Sequence, residues 1–272
     1  MSEVGVLLRR WRGRRRLSQL DLSAQAGVST RHLSFLETGR SRPTREMILR
    51  LAEHLDVPLR SRNELLLAAG FAPAYAENDL RGPRLATVLA SLRDVLTGHE
   101  PYPAILIDRH WTMIDANAAI APLIAGADPR LLEPPVNVLR LSLHPDGMAP
   151  RIRNLPEWRA HILHRLDRQA AATGDAHLTA LHDELAALPG GVAHGTPDGL
   201  VVPLRYEADG RELSFFSITS VLGTPLDVTL AELAIESFLP ADAATASLLS
   251  QPIAAAPPPG SAADRPARRS SR

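Results

Sequence analysis

Two short helical patterns separated by one glycine, within residues 18–43, constrain the fold of this chain more than any other feature. Ser18 opens the segment, and its hydroxyl can accept a hydrogen bond from a free amide at the start of a helix. Gly27 supplies the positive φ that a sharp turn between two helices requires.

Ser29 opens a second helix, in which Leu33 and Leu36 lie three residues apart and face a core. In the first helix, the predicted apolar face consists of Leu20, Leu22 and Ala26. The segment therefore predicts a rigid helix-turn-helix pair.

The residues that the second helix leaves pointing outward suit contacts with DNA. An arginine can donate two hydrogen bonds to guanine, and an aromatic ring can contact a thymine methyl group. We expect four residues to face the bases: Thr30, Arg31, Ser34 and Phe35. Arg40 and Arg42, just past this helix, suit backbone phosphates. The alternatives are a solvated surface charge for each arginine and a core position for Phe35.

Several residues around the turn match a known pattern: Gln19, Ala24, Gly27, Val28, Leu33, Glu37 and Gly39. Through them the segment resembles the lambda-repressor-like (XRE) helix-turn-helix family. The resemblance implies that Gln19, at the start of the first helix, holds a phosphate, and we assign Ser29 to the phosphates as well. It also implies an internal ion pair between Arg12 and Glu37, so we interpret Arg12 as structural.

Charge is distributed unevenly, although basic and acidic residues are equal in number over the whole chain. Residues 1–70 hold 13 Arg and 7 acidic residues, a net charge of +6. Residues 71–250 hold 13 Arg and 22 acidic residues, a net charge of −9, and residues 251–272 carry +3. The basic N-terminal part fits a polyanionic partner, whereas the middle part does not.

Composition limits the class of protein. The chain has no cysteine, which excludes disulfides and thiolate metal sites. No apolar run approaches the roughly 20 residues that span a bilayer, and the N-terminus lacks the apolar core of a signal peptide. We therefore expect a cytoplasmic, nucleoid-associated protein without a membrane partner.

Further helical patterns complete an N-terminal domain. They occupy residues 4–14, the stretch after Thr44, and the stretch from Pro58 to the predicted C-terminal cap Gly70. Five helices in residues 1–70 predict an all-α, lambda-repressor-like domain. Proline, glycine and charge without periodicity predict a linker at residues 71–83.

Residues 84–250 differ in kind, because short strand-like runs alternate there with helical patterns. Helices are predicted at 85–98, 118–125 (capped by Asn117), 157–172 and 177–188. Strands are predicted at 104–108, 111–115, 200–207, 213–222 and 229–239, with a turn at Asp209 and Gly210. Five strands with helices inserted after the second predict an α+β domain. Residues 251–272, low in apolar content, are predicted to be disordered.

Four phrases in this part carry a second resemblance: EPYPAILIDRHW at 100–111, NVLRLSLHPDG at 137–147, NLPEWRAHILHRL at 154–166 and GTPLDVTLAELAIESFLPAD at 223–242. The order of elements resembles a PAS-type sensor, and the phrases resemble the ligand-binding domain of MmyB-like transcription regulators. With matching phrases in the N-terminal half, the resemblance covers about residues 3–249. It implies a homodimer that binds a double-stranded DNA operator and whose PAS-like domain holds a small apolar effector such as a fatty acid.

Six residues in the middle segment could supply donors to a ligand carboxylate: Asn137, Arg140, His144, Asn154, Trp158 and Arg159. Caps and turns are the alternative roles for such residues, since residues 145–147 (PDG) predict a turn after His144. Packing is likewise the alternative for the apolar residues of the strands, which could line a pocket or fill a core.

The sequence gives little support to catalysis or metal binding. His161 and His164 are three residues apart on a helix, but no third ligand accompanies them at diagnostic spacing, so we expect a solvated face and no metal. No nucleophile elbow, P-loop or dinucleotide-binding fingerprint is present, and we expect neither an enzyme nor a cofactor. The alternative to a ligand-responsive regulator is a regulator whose C-terminal domain is an effector-independent dimerisation or protein-interaction module. A cavity would favour the former.

Overall fold

The computed structural model describes residues 2–193 and 201–250. The disorder predicted for residues 251–272 and the start of the strand predicted at 200–207 lie outside the described residues. No described helix is long and apolar enough to cross a membrane.

The N-terminal part consists of five helices. They are α1 (Glu3–Arg14), α2 (Gln19–Ala26), α3 (Thr30–Thr38), α4 (Arg45–His54) and α5 (Leu59–Ala68). The hydroxyls of Ser18, Ser29 and Thr44 accept hydrogen bonds from backbone amides and cap α2, α3 and α4. Gly27 adopts a φ of 64° between α2 and α3. The helix-turn-helix pair is therefore held by local side-chain chemistry as the sequence predicts.

The core of this part forms where the apolar faces of the five helices meet. Leu8, Leu22, Leu33 and Leu36 are fully buried in it. The prediction that Leu20 shares this core is wrong, because its side chain is 66% exposed. Successive helical residues are about 100° apart, so Leu20 lies nearly opposite Leu22.

The connection after α5 is tied to both parts of the chain. Asn63 Oδ1 accepts hydrogen bonds from the amides of Ala74 and Tyr75. Farther along, the carboxylate of Asp227 accepts hydrogen bonds from the backbone and side-chain amides of Asn78. The segment predicted as a linker thus bridges α5 and the second part.

The second part is built on one antiparallel sheet. Its strands are β1 (Ala104–Ile107), β2 (Met113–Ala116), β3 (Leu204–Ala208), β4 (Arg211–Val221) and β5 (Ala234–Pro240), in the order β2-β1-β5-β4-β3. The helices are α6 (Ala86–Gly98), α7 (Ala121–Ile124), α8 (Val138–Leu143), α9 (Leu155–Thr173), α10 (Ala176–Ala187), α11 (Val228–Ala231) and α12 (Ala243–Leu249). The predicted fold class, an all-α five-helix domain followed by an α+β PAS-like domain, is confirmed.

The two faces of the sheet are covered by different helices. In β1, Ile105 and Ile107 belong to the core that includes residues of α8, α9 and α10. Ala104 and Leu106 belong to a separate core with Leu96 of α6. Because side chains alternate along a strand, one four-residue strand serves both cores.

Two element predictions need correction. The strand predicted at 229–239 begins instead with the helical turn α11, because the carboxylate of Asp227 accepts a hydrogen bond from the amide of Leu230. Asn117 lies at the N-cap position of a 3-10 turn, Ala118–Ile120, but its side chain makes no capping hydrogen bond there. Its Oδ1 accepts from Ala104 N and its Nδ2 donates to Leu96 O and Tyr102 O, so it joins α6 to the sheet.

Candidate DNA-binding surface and candidate ligand cavity

The exposed face of α3 presents an aromatic ring between two arginines. The guanidinium carbon of Arg31 lies 5.3 Å from the ring centroid of Phe35, and that of Arg40 lies 5.9 Å from it. Phe35 is partly exposed, and both arginines are exposed. Phe35 therefore lies outside the core, and cation–π contacts order a basic, partly apolar surface that can approach base edges.

The hydroxyl groups on and next to α3 differ in whether they are already hydrogen-bonded within the protein. Thr30 Oγ1 lies 2.8 Å from Oγ of the buried Ser23, a hydrogen bond between α3 and α2. Ser29 Oγ accepts a hydrogen bond from His32 N as the cap of α3. Ser34 is partly exposed one turn after Arg31, and Arg42 is exposed beyond the helix. Thr30 can thus offer bases its methyl group more readily than its hydroxyl.

The residues predicted as an internal ion pair meet beneath this surface. Arg12 Nε lies 2.6 Å from Glu37 Oε1, and Arg12 Nη2 lies 2.9 Å from Oε2. A third donor, Gln19 Nε2, lies 2.8 Å from Oε2. The residue predicted to hold a phosphate is therefore hydrogen-bonded to Glu37 in this structure. The carboxylate of α3 is fixed by α1 and α2 together.

Opposing effects act on the pKa of Glu37. Burial raises it, and the hydrogen bonds from Arg12 and Gln19 outweigh burial, so the pKa lies below its ordinary value. The side chain is only 2% exposed. Glu37 is thus an ionised, fully paired anchor for α3.

A close backbone approach brings α1 against the end of α3. A Cβ added at Gly5 would lie 2.5 Å from Leu36 O and 2.7 Å from Glu37 O. A larger residue there would push the two helices apart. Gly5 thereby allows the ion pair above to form at short distance.

A narrow apolar cavity lies between the sheet and the helices packed on it. Its volume is about 60 Å³. Residues from strands β1, β2 and β5 line it together with α8 and α9. The apolar lining includes Ile105, Met113, Leu139, Met148, Ile162 and Phe238.

One end of the cavity is polar. Arg165 Nη1 donates to Glu236 Oε1 at 2.8 Å, and Nη2 donates to Thr219 Oγ1 at 2.6 Å. The Arg165 guanidinium also lies 4.4 Å from the ring centroid of Trp111. His161 completes this end, and burial followed by repulsion from Arg165 holds its pKa below the ordinary value. The cavity thus combines an apolar body with a charged, paired end.

Of the six residues predicted to contact a ligand, Trp158 lines this cavity. Its Nε1 donates to Ser142 Oγ at 3.0 Å, which joins α9 to α8. Asn137 caps α8 and also donates to His110 O. Arg140 pairs with Glu184 on α10 at 2.6 Å.

The other three predicted ligand contacts are engaged elsewhere and do not line the cavity. His144 Nδ1 accepts a hydrogen bond from Asp146 N within the turn. Asn154 joins α9 to the start of β3 through Pro203 O and Arg205 N. Arg159 donates to the carbonyl of Ala186. Caps and turns, the alternative considered for these residues, describe their contacts.

Apart from Trp158, the polar residues that reach the cavity were not predicted from the sequence, and the solvated position expected for His161 is wrong because its side chain lines the cavity. Trp158, His161, Ile162 and Arg165 recur at intervals of three and four residues, and therefore share one face of α9. That periodicity could have found them. Nothing local marks Glu236, whose place follows from the pairing of β5 with β1 and β4. No group of three or more metal-ligating side chains occurs within residues 2–193 and 201–250.

The last residue of α1 and the residue that follows it are arginines that contact the end of α9. Arg14 Nη1 donates to Thr173 O at 3.4 Å, and Arg15 Nη1 donates to Ala172 O at 3.1 Å. Cations are favourable at a helix C-terminus, where free carbonyls concentrate partial negative charge. The helix that lines the cavity is therefore joined directly to the helix-turn-helix part.

A second link lies at the start of α5. Arg60 donates to both carboxylate oxygens of Glu232, at 2.7 and 2.9 Å. Arg109 Nη1 lies 3.4 Å from the same carboxylate. The two links lie on the sides of a cleft of about 970 Å³ that is lined by residues of both parts.

Two family models match this chain. The model of the MmyB-like transcription regulator ligand binding domain matches residues 88–251, and a helix-turn-helix model matches residues 8–61. No curated protein matches the sequence.

Proposed function

The chain belongs to the MmyB-like transcription regulators, which bind DNA, and we propose that a homodimer of it responds to a small apolar effector such as a fatty acid. The effector binds in the α+β domain and changes affinity for a double-stranded DNA operator at the nucleoid. The observation that carries the proposal is the apolar cavity with one polar end.

Operator binding is assigned to the surface of α3. In this proposal Arg31, Ser34, Phe35 and the methyl group of Thr30 face the bases, with Arg31 donating to guanine. Contacts to phosphates come from Gln19, Ser29, Arg40 and Arg42. The exposed arrangement of Arg31, Phe35 and Arg40 supports this assignment. Arg12 acts from beneath the surface by fixing Glu37.

The cavity must widen to admit an acyl chain. Its volume is about 60 Å³, whereas pockets for drug-sized ligands commonly measure about 300–1,000 Å³. Met113 and Met148 line it, and unbranched thioether side chains change conformation at low cost. In the proposed mechanism these side chains move and the ligand replaces their packing, so that binding stabilises the folded domain.

A thermal-unfolding titration of the full chain with laurate tests the proposal. Ligand at a hundred times its dissociation constant adds about 2.7 kcal/mol to the free energy of unfolding. We therefore expect a rise in Tm, and a change in operator affinity of about 5- to 150-fold.

Two variants of neighbouring strand residues make the test specific. Met113→Phe places a rigid ring in the cavity and is expected to reduce the laurate shift. Ile114→Phe is the matched control, because Ile114 packs in the core on the opposite face of the sheet. A dimer that binds DNA but shows no shift with saturated fatty acids of any length would favour the effector-independent module instead.

A further inference from the structure

The apolar cavity and the large cleft share two wall residues. Trp111 and Arg165 line both spaces. The 970 Å³ cleft continues from them towards α1 and α5. A ligand with its chain in the cavity would therefore direct its head group past this pair into the cleft.

The conformation of Trp111 is strained. Its φ is 67°, in the left-handed region that bulky side chains rarely adopt. Its Nε1 donates to Gln169 Oε1 at 2.9 Å, and Arg165 lies over its ring. Such strain persists where the surroundings impose it and is concentrated at ligand sites and switches.

A simple carboxylate is a poor match for the polar end of the cavity. Arg165 is already paired there with Glu236, whose side chain is only 5% exposed. A carboxylate head next to this pair would meet a neutralised cation and a buried like charge. Uncompensated positive charge lies farther on, in the cleft.

Six arginines and four carboxylates line the cleft. Part of this charge is balanced by ion pairs: Arg60 and Arg109 pair with Glu232, and Arg109 lies 3.8 Å from Asp175. Asp108 accepts hydrogen bonds from the amides of His110 and Thr112, and Glu64 also lines the cleft.

Three other arginines of the cleft have no acidic partner. Arg10 and Arg14 of α1 and Arg168 of α9 line the same cleft, and none of them pairs with a carboxylate within the described ranges. Burial, followed by repulsion from Arg10 and Arg15, holds the pKa of Arg14 below its ordinary value. These three arginines therefore favour an anion in the cleft.

We propose that the cleft binds the phosphate-type head group of an amphiphile whose single apolar chain occupies the cavity. A phosphate carries more charge than a carboxylate and offers more acceptor oxygens to several guanidinium groups at once. Acyl-coenzyme A thioesters and lysophosphatidates share this chemistry. The inference rests on the proposed function, because it names the head group of the same effector.

The position of the head group supplies a direct link to DNA binding. Arg10 and Arg14 belong to α1, which also carries the Arg12 that fixes Glu37 of α3. An anion that bridges these arginines to Arg168 would hold α1 against α9. Effector binding would thereby select one orientation of the helix-turn-helix part.

Calorimetric titration of the full chain with two probes of equal chain length tests the inference. Dodecyl phosphate is expected to bind about fivefold more tightly than laurate, the scale of one added exposed ion pair. Lauroyl-coenzyme A and lauroyl lysophosphatidate, titrated in parallel, distinguish the two sources of the head group. Equal affinity for dodecyl phosphate and laurate would overturn the inference.

Charge variants locate the site. Combining Arg10→Gln with Arg168→Gln should abolish the preference for dodecyl phosphate while laurate still binds, which also shows that the variant is folded. Arg9→Gln is the matched control, since Arg9 is an exposed arginine of α1 that does not line the cleft. Retention of the preference in the double variant would contradict the site. Absence of binding by both amphiphiles to the parent would instead contradict the proposed function, and the inference with it.

Discussion

Glu37 connects three helices through one side chain. It receives two hydrogen bonds from Arg12 of α1 and one from Gln19 of α2, while its own helix carries the proposed base-facing residues. Burial of this carboxylate costs little free energy while all three hydrogen-bond donors are present. Removal of its charge leaves the guanidinium of Arg12, 15% exposed, without a counter-ion.

We therefore expect Glu37→Gln to lower the free energy of unfolding by about 3–5 kcal/mol, as for other broken buried pairs. Urea denaturation measures the change. Glu53→Gln, at an exposed position of α4, is the control and should differ little from the parent. If Glu37→Gln lowered the free energy of unfolding no more than Glu53→Gln does, the ion pair would not stabilise the fold.

The difference in stability between the parent protein and Glu37→Gln should change with pH in a definite direction. Since the pKa of Glu37 is lowered on folding, its ionisation stabilises the protein fully above the ordinary value of 4.5. That contribution is lost as pH falls through the lower, folded-state pKa. The difference between parent and Glu37→Gln should therefore shrink progressively below about pH 4.5.

Arg31→Ala tests the base-facing surface. Loss of a bidentate contact to guanine should weaken operator binding by about 1–3 kcal/mol and relax sequence preference. Arg50→Ala, on the exposed face of α4, serves as the control. Anisotropy titrations at fixed salt with operator and unrelated DNA measure both effects. Unchanged discrimination by Arg31→Ala would show that the proposed register of α3 is wrong.

Gln19→Ala is expected to weaken binding to all DNA sequences. It should also destabilise the fold, because Gln19 donates a hydrogen bond to Glu37.

Among the elements, α9 has two roles at different points along its length. Its N-terminal half faces the cavity, and its last carbonyls accept hydrogen bonds from Arg14 and Arg15. Gly174 ends the helix with a φ of 68°, and an added Cβ there would overlap the guanidinium of Arg14. The absence of a side chain at this cap thus permits the contact with α1.

Gly174→Ala should therefore have a local effect beyond its loss of stability. Left-handed backbone costs a non-glycine residue about 1–2 kcal/mol, and Gly210→Ala, at φ 71° with open space around it, should show the same loss. Displacement of Arg14 should speed amide hydrogen exchange at the end of α1 in Gly174→Ala alone. Equal exchange in the two variants would show that Arg14 does not hold α1.

At the scale of the whole molecule, the proposed homodimer predicts how operator spacing should act. Two heads bind one face of DNA when half-site centres lie about one helical turn, roughly 34 Å, apart or multiples of it. Inserting half a turn of DNA between half-sites should therefore sharply reduce affinity, whereas a full turn should restore much of it. Anisotropy titrations at constant salt measure this. Affinity independent of spacing would indicate that single heads bind.

Much of the fold could be predicted because its signals are local. Caps, glycines and helical periodicity mark α1–α5, α6, α9 and α10, and alternation marks the strands. Elements of four to seven residues, such as α8, α11 and α12, are too short to show a period. The strand predicted at 229–239 was wrong over its first residues, because Asp227 caps the helical turn α11 and is itself held by Asn78, a residue far away in sequence.

The candidate sites divide in the same way. The residues of the α3 surface lie within one segment, so their spacing could identify them. The polar end of the cavity combines Arg165 from α9 with Glu236 from β5, and the cleft combines arginines of α1 and α9. Five of the six residues predicted to contact ligand are engaged in capping, ion pairs or backbone contacts outside the cavity. Polar residues of the right type are common, and their type does not specify where a side chain points.

The sequence by itself therefore determined the helix-turn-helix pair, the division into an α-helical and an α+β part, and the uneven charge, because each depends on residues close together in the chain. Tertiary structure alone decided that Gln19 joins Arg12 in holding Glu37, that Glu236 neutralises Arg165, and that α1 meets the end of α9. Those arrangements depend on burial and on the pairing of distant segments, and neither is encoded in any local pattern.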